Sequence, residues 1–256
     1  GEFHFGLLKN IDQFPSINYF KNDKDLYLKP ESTSEKWITK QTEINKDKKL
    51  RLFKTHSAMC KINGNRFTDP QNTLGAIYIV RDPRNVITSM SNHYSLNYQQ
   101  AFLKLIDENA SLLEKSREGD YSNFTFLGSW SSHYKSWKNS NDFKTLFIKY
   151  EDLQNKKYET FQKVIQFINL LKKDKSKIDE KKFINSINST NFSNLRNKEE
   201  NEGFEESVYS NTGEKKRFFN LGFNNRWQKI LPKDILNKLN KTFQNELNDL
   251  GYNLDD

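Results

Sequence analysis

An arginine closing an apolar run, an Asp-Pro step and a serine two helical turns later are the makings of an anion site. The chain carries them in that order at Arg81, Asp82-Pro83 and Ser89. Ala76-Ile77-Tyr78-Ile79-Val80 is an unbroken run of apolar residues, mostly β-branched or aromatic, and reads as a strand buried on both faces. Asp82 suits an N-cap, and Pro83 suits the first helical position, where its missing N–H costs nothing. Val86, Ile87 and Met90 then repeat at helical spacing. A helix opening directly from a strand end brings unpaired N–H groups and the positive end of the macrodipole to one point. The forked guanidinium of Arg81 adds donors suited to a phosphate. The competing reading pairs Arg81 with Asp82 or another carboxylate and leaves Ser89 facing a neighbouring turn.

A second cluster precedes this corner. Lys49-Leu50-Arg51-Leu52-Phe53-Lys54-Thr55-His56 reads as a short strand ending in polar residues, so that Lys54 and His56 fall at its carboxyl end. Ligands of open α/β sheets bind outside those ends. An imidazole that titrates near neutrality can take the proton of a hydroxyl or an amine. A lone histidine is more often structural, so residue type alone leaves both roles open.

The elements that must position these groups follow from composition and pattern. At 256 residues the chain is long enough for one α/β domain with a substantial core, taken here as residues 1–256. No run of eighteen apolar residues occurs, which excludes a membrane-spanning helix. Cys60 is the only cysteine, so there is no internal disulfide, and a reducing, cytoplasmic setting is expected. The net charge of +8 suits a polyanionic ligand. Lysine is spread evenly, and neither zinc-finger spacing nor an RNP-type aromatic motif occurs, so a nucleic-acid partner is not expected.

Phe5, Leu7, Leu8, Ile11 and Phe14 suggest a short amphipathic helix ending at Pro15, and 22–49 reads as a loop with one exposed helix carrying Trp37 and Ile38. Residues 60–75 read as an irregular connection and 98–113 as a packed helix. Gly128-Ser129 opens a helix presenting Trp130, Tyr134 and Trp137, while Thr145–Ile148 reads as a buried strand and Tyr158–Leu171 as a helix. Residues 199–216 read as a mobile loop, and an amphipathic helix runs from Pro232 to a C-cap at Gly251.

The string YIVRDPRNVITSMSNHY, from Tyr78 to Tyr94, closely resembles the 3′-phosphate-binding motif of sulfotransferases that use 3′-phosphoadenosine 5′-phosphosulfate (PAPS). That resemblance implies that Arg81 and Ser89 hold the 3′-phosphate. Lys54-Thr55-His56-Ser57 resembles the KTH motif of the same family, which implies His56 as general base and Lys54 as a contact of the transferring sulfuryl group. FLGSWSSHYKSW resembles the family's G-S-W segment, in which His133 packs without acting as a second base. KYEDL resembles the segment whose tyrosine lies against adenine, implying Tyr150 in that place. Ser189–Leu195 resembles the T-S-F-x-x-M stretch beside adenine and implies Thr190, Phe192 and Leu195 as cofactor residues.

Phe218-Phe219-Asn220-Leu221-Gly222 resembles the R-K-G segment ahead of a tryptophan, here Trp227. Gly222 keeps the register, but Asn220 and Leu221 stand where the family has its basic pair. The Gly222 N–H, Asn220, Lys215, Lys216 or Arg217 are the available substitutes. The resemblance implies a three-layer α/β sandwich with a central parallel sheet of the P-loop NTPase-like kind. It also implies PAPS as donor, PAP as product, and a hydroxyl or amine acceptor on a small molecule, glycan or lipid. The family's phosphosulfate loop, typically Y-P-K-S-G-T-T-W, has no counterpart in this chain, so an N-terminally truncated fragment that binds cofactor poorly is expected. Two other classes compete: a non-catalytic nucleotide-binding or scaffolding protein, and a P-loop kinase relative with Glu151 and Asp152 as Mg²⁺ ligands. The intact Lys54–His56 motif favours an enzyme, because a pure binder needs no base.

Overall fold

The corner at Arg81 forms as its residues dictate. The Gly75–Val80 strand pairs with Lys144–Lys149 and runs into the Pro83–Tyr94 helix. Asp82 caps that helix, its side chain accepting the Arg84 N–H at 2.9 Å, and Pro83 fills the first helical position. Ser95 ends it in the left-handed region at φ 56°. The computed structural model describes residues 11–20, 30–113, 123–204, 208–209, 213 and 215–254. The chain divides into two compact units, one containing Ile79–Leu105 and Phe147–Asp256, the other Lys9–Tyr78 and Ile106–Leu146.

In the second of these units the core is built around Trp37, which is 0 % exposed and stands edge-on to Phe67 at 5.4 Å. Trp37 lies on the Pro30–Ile44 helix, which the charged sequence marked as exposed. Its inward face is Thr33, Ser34 and Trp37, all buried, and small polar residues leave little hydrophobic periodicity to read. Gln41 Nε2 on the same helix donates to the Phe67 carbonyl at 2.6 Å, and Asn45 Nδ2 just beyond its end donates to the Asn72 carbonyl at 3.0 Å, while the Trp37 indole N–H is buried without a partner.

Three further expectations change. Asp12–Gln13 is a strand lying parallel to Phe53–Lys54, with the Phe14 N–H donating to the Lys54 carbonyl at 3.0 Å, where an amphipathic helix was expected. Phe5, Leu7 and Leu8 lie outside the described residues. Residues 60–75 contain a hairpin, Lys61–Ile62 against Asn65–Arg66. Asn63 and Gly64 both take positive φ, 49° and 84°, the Asn-Gly signature of a two-residue turn matching the strand twist. The expected 98–113 helix stops at Leu105, and Ser111–Leu112 pairs antiparallel with Thr125–Phe126.

The other unit is mainly helical. Trp227, Ile235, Leu239, Phe243 and Leu247 form its buried C-terminal core. The helix expected from Pro232 breaks at Phe243 into Lys233–Thr242 and Gln244–Asp249, and Gly251 takes φ 65°. Residues 199–216, expected as a loop, continue the Phe192–Glu202 helix to Gly203 and then pair Val208–Tyr209 with Lys215–Lys216.

The central parallel sheet of the expected sandwich is not resolved. Among the described residues the strands form five two-stranded sheets, mostly of two-residue strands. The Gly75–Val80 strand is correspondingly not covered on both faces: only Val80 is buried, and Ile79 is 55 % exposed. Among the described residues no helix is long and apolar enough to cross a membrane. Truncating Trp37 to alanine removes the largest fully buried side chain, and a loss of about 3–5 kcal/mol in urea unfolding is expected. A loss below about 1 kcal/mol would show that the core does not rest on this indole.

Candidate anion site and candidate base

Asp82 decides what Arg81 can do. Its carboxylate is 3 % exposed and is gripped by Arg84, which donates Nε to Oδ1 at 3.0 Å and Nη2 to Oδ2 at 2.8 Å. Arg84 is itself 1 % exposed, lies over the Trp227 ring at 4.0 Å, and donates Nη1 to Asn240 Oδ1 at 3.2 Å. Fork-to-fork pairing satisfies both buried ions, and Arg81 makes no bond to Asp82. The reading in which Arg81 pairs with Asp82 is therefore excluded.

Arg81 turns instead along the helix. Its Nη1 donates to Ser89 Oγ at 3.0 Å, and its guanidinium carbon lies 4.4 Å from the Tyr150 ring centre. Its Nε is buried without a hydrogen-bond partner, and among the described residues no carboxylate pairs with this arginine. A buried N–H of a guanidinium left unpaired costs free energy until an acceptor arrives. An unpaired cationic donor beside a hydroxyl at a helix opening fits a phosphate group.

Glu151, named above as a possible metal ligand, has both oxygens engaged. Oε1 accepts the Asp82 N–H at 3.3 Å and Oε2 accepts the Tyr252 hydroxyl at 2.6 Å. Burial, and after it the Glu151 charge, raises the Tyr252 pKa, so the phenol stays a donor.

The remaining expected cofactor residues divide. Phe192 and Gly222 meet: Gly222 has φ 53°, and a Cβ there would lie 2.6 to 2.8 Å from the Phe192 ring, so only glycine fits. Thr190 spends its hydroxyl on the Ser186 carbonyl at 2.8 Å, and its own carbonyl accepts from Lys157 Nζ at 2.9 Å. Leu195 is half-buried within its helix, and the Asn220 amide group has no partner among the described residues. Among the described residues none of these three bonds to Arg81 or Ser89. Of the basic substitutes, Lys216 Nζ donates to the Asn92 carbonyl at 2.7 Å and Arg217 pairs with Glu200 at 3.1 Å, while Lys215 is exposed. A residue that the sequence reading passed over, Asn225, does reach Ser89, its Nδ2 lying 3.1 Å from Oγ. Its only sequence signal is a small polar residue two positions before a buried tryptophan.

The candidate base lies in the other unit. His56 and Lys54 are exposed, and the segment they lie in is pinned by one face of the Trp130–Lys138 helix. His133 Nε2 lies 3.1 Å from the His56 carbonyl, Trp137 Nε1 donates to the Ser57 carbonyl at 3.0 Å, and Ser136 Oγ accepts the Met59 N–H at 2.9 Å. Spacings of three and four residues put these three side chains on a common stripe. A carbonyl only accepts, so Nε2 of His133 carries its proton, and Nδ1 accepts the Tyr78 hydroxyl at 2.8 Å. Burial lowers the His133 pKa from its ordinary 6.5, against the opposing pull of its bond to the His56 carbonyl. His133 is thus a neutral strut, as the packing reading held.

Comparison with known proteins places the chain. The sulfotransferase domain model matches residues 6–251, and the chain belongs to that family. It is similar in fold to the crystal structure of mouse sulfotransferase SULT7A1 complexed with PAP, at a TM-score of 0.51 and 19 % identity over 83 % of this chain and 72 % of that one. The fold is accordingly the mixed α/β fold of sulfotransferases.

A depressed histidine pKa has a sign that can be checked. The unfolded chain takes up the proton more readily than the folded one, so the contribution of His133 is whole above its ordinary 6.5 and is lost as pH falls below it. Melting temperature should drop on acidification through that window, and His133→Gln should flatten the drop. An identical slope in the variant would mean that His133 is not held neutral.

Proposed function

We propose that this chain transfers a sulfuryl group from PAPS to a hydroxyl or amine acceptor and releases PAP. The observation that carries the reading is Arg81, buried at Nε, without a carboxylate among the described residues, and hydrogen-bonded to Ser89 at 3.0 Å. Arg81 and Ser89 take the 3′-phosphate, and the Tyr150 ring, 4.4 Å from the guanidinium carbon, steadies that arginine. PAPS supplies an activated sulfuryl group with the bisphosphate as leaving group. His56 receives the proton that the acceptor loses as it attacks, and Lys54 offers its ammonium to charge on the sulfuryl oxygens. The Trp130–Lys138 helix grips the base segment at the His56 and Ser57 carbonyls and the Met59 N–H. Phe192 and Gly222 belong to the adenosine side of this reading, with Thr190, Leu195 and Asn220 as outer members. The acceptor belongs to a class that presents a nucleophilic oxygen or nitrogen: a small molecule, a glycan or a lipid head group.

A second reading, nucleotide binding without transfer, is favoured by the place of the basic pair. Asn220 and Leu221 stand there, and both Lys216 and Arg217 are committed to other partners. Turnover separates the two readings. His56→Ala is expected to lower transfer from PAPS about a hundredfold or more while leaving the affinity for adenosine 3′,5′-bisphosphate unchanged. Equal turnover would take His56 out of the chemistry. Calorimetric titration of Arg81→Ala should show that bisphosphate binding weakens at least about tenfold, the scale of a charge-assisted hydrogen bond. An affinity within about twofold of the parent would remove Arg81 from the phosphate site.

A further inference from the structure

Ser89 has a proton to give, and the bonds around it show why. Two donors point at its Oγ, Arg81 Nη1 at 3.0 Å and Asn225 Nδ2 at 3.1 Å. A serine hydroxyl carries two lone pairs and one proton, so once both lone pairs are engaged the one hydrogen bond left is the one it donates. Among the described residues nothing accepts that proton. A serine inside a helix ordinarily turns its hydroxyl back to the carbonyl four residues earlier. That carbonyl, of Asn85, already accepts from Asn225 Nδ2 at 3.3 Å.

The orientation of the Asn225 amide follows from the same neighbours. The Asn85 carbonyl can only accept, so the atom of Asn225 that faces it is the nitrogen. The second hydrogen of that nitrogen then falls on Ser89, and Oδ1 falls beside the Thr88 hydroxyl at 2.6 Å. Asn225 is only 9 % exposed, and its own N–H donates to the Gly222 carbonyl at 3.1 Å. Two residues on, the Trp227 N–H donates to Asn85 Oδ1 at 3.2 Å. The amide is therefore held between the Pro83–Tyr94 helix and the turn that bears Gly222.

We propose that Asn225 is a positioning residue of the anion site, holding Ser89 Oγ as an acceptor so that the serine proton is presented to a phosphate oxygen. The proposal rests on the reading of the Arg81 corner as a 3′-phosphate site. It gives the segment around Gly222 a function that survives the loss of the basic pair. A neutral buried amide, acting through Ser89, contributes where Asn220 and Leu221 bring no charge. A site built from one guanidinium and one oriented hydroxyl relies on hydrogen-bond direction more than on net charge.

Paired titrations test it. Adenosine 3′,5′-bisphosphate and adenosine 5′-phosphate, which lacks the 3′ group, are titrated into the parent chain, Asn225→Ala, Ser89→Ala and the double variant. Asn225→Ala and Ser89→Ala are each expected to weaken the bisphosphate about tenfold, and the double variant no more than the weaker single, since both remove the same bond. Affinity for the monophosphate should stay the same throughout. Unchanged bisphosphate affinity in Asn225→Ala, equal weakening of both nucleotides, or effects that multiply in the double variant would each overturn the proposal. Should Asn225→Ala not fold, Asn225→Asp keeps Oδ1 but lacks the donating nitrogen, and the same selective loss is expected; equal binding of the bisphosphate would overturn it. A parent chain that binds both nucleotides alike would instead overturn the 3′-phosphate reading itself, a result distinct from the failure of Asn225.

Discussion

The pairing of Asp82 with Arg84 is the constraint on which the anion site depends. Both ions are buried, both are satisfied by paired hydrogen bonds, and the arginine is stacked on Trp227 and tied to Asn240. Removing either partner would strand the other in a low-dielectric setting, a cost of roughly 3–5 kcal/mol. Its chief consequence lies one residue upstream. With its own neighbouring carboxylate consumed, Arg81 keeps donor capacity that the protein does not use, and Tyr150 and Ser89 hold the guanidinium in place. A charge neutralised at Arg84 leaves a charge available at Arg81.

A similar economy holds the candidate base. His56 is exposed, yet the backbone beneath it is fixed by contacts to His133, Trp137 and Ser136. Tyr78 completes this strut by donating to His133 Nδ1, and burial raises the Tyr78 pKa, so the phenol stays protonated. A side chain on a well-held backbone loses little entropy on reaching a productive pose. The helix that supplies this grip is capped by Ser129, whose hydroxyl accepts the Ser132 N–H at 3.1 Å.

Much of this was legible in the chain. The Arg81-Asp82-Pro83 corner, the cap of its helix and the Gly128-Ser129 opening rest on local rules, because an N-cap or a first-turn proline answers to its immediate neighbours alone. The Pro30–Ile44 helix was read as exposed because its inward face is built from Thr33 and Ser34, which give no apolar stripe. The Asn63-Gly64 turn did have a local signal, and the surrounding Asn, Asp and Pro masked it. Asn225 could not be found by periodicity at all. Its role depends on meeting Asn85 and Ser89 some 140 residues earlier, a pairing that only folding makes. The partners of Lys216 and Arg217, Asn92 and Glu200, were invisible in sequence for the same reason.

A crystal of this chain grown with adenosine 3′,5′-bisphosphate would show what the Arg81 corner binds. The 3′-phosphate is expected to sit with one oxygen on the Arg81 guanidinium and another on the Ser89 hydroxyl, while Asp82 stays on Arg84. A phosphate bound elsewhere, or Arg81 drawn across to a carboxylate with its Nε still unpaired, would contradict that placement.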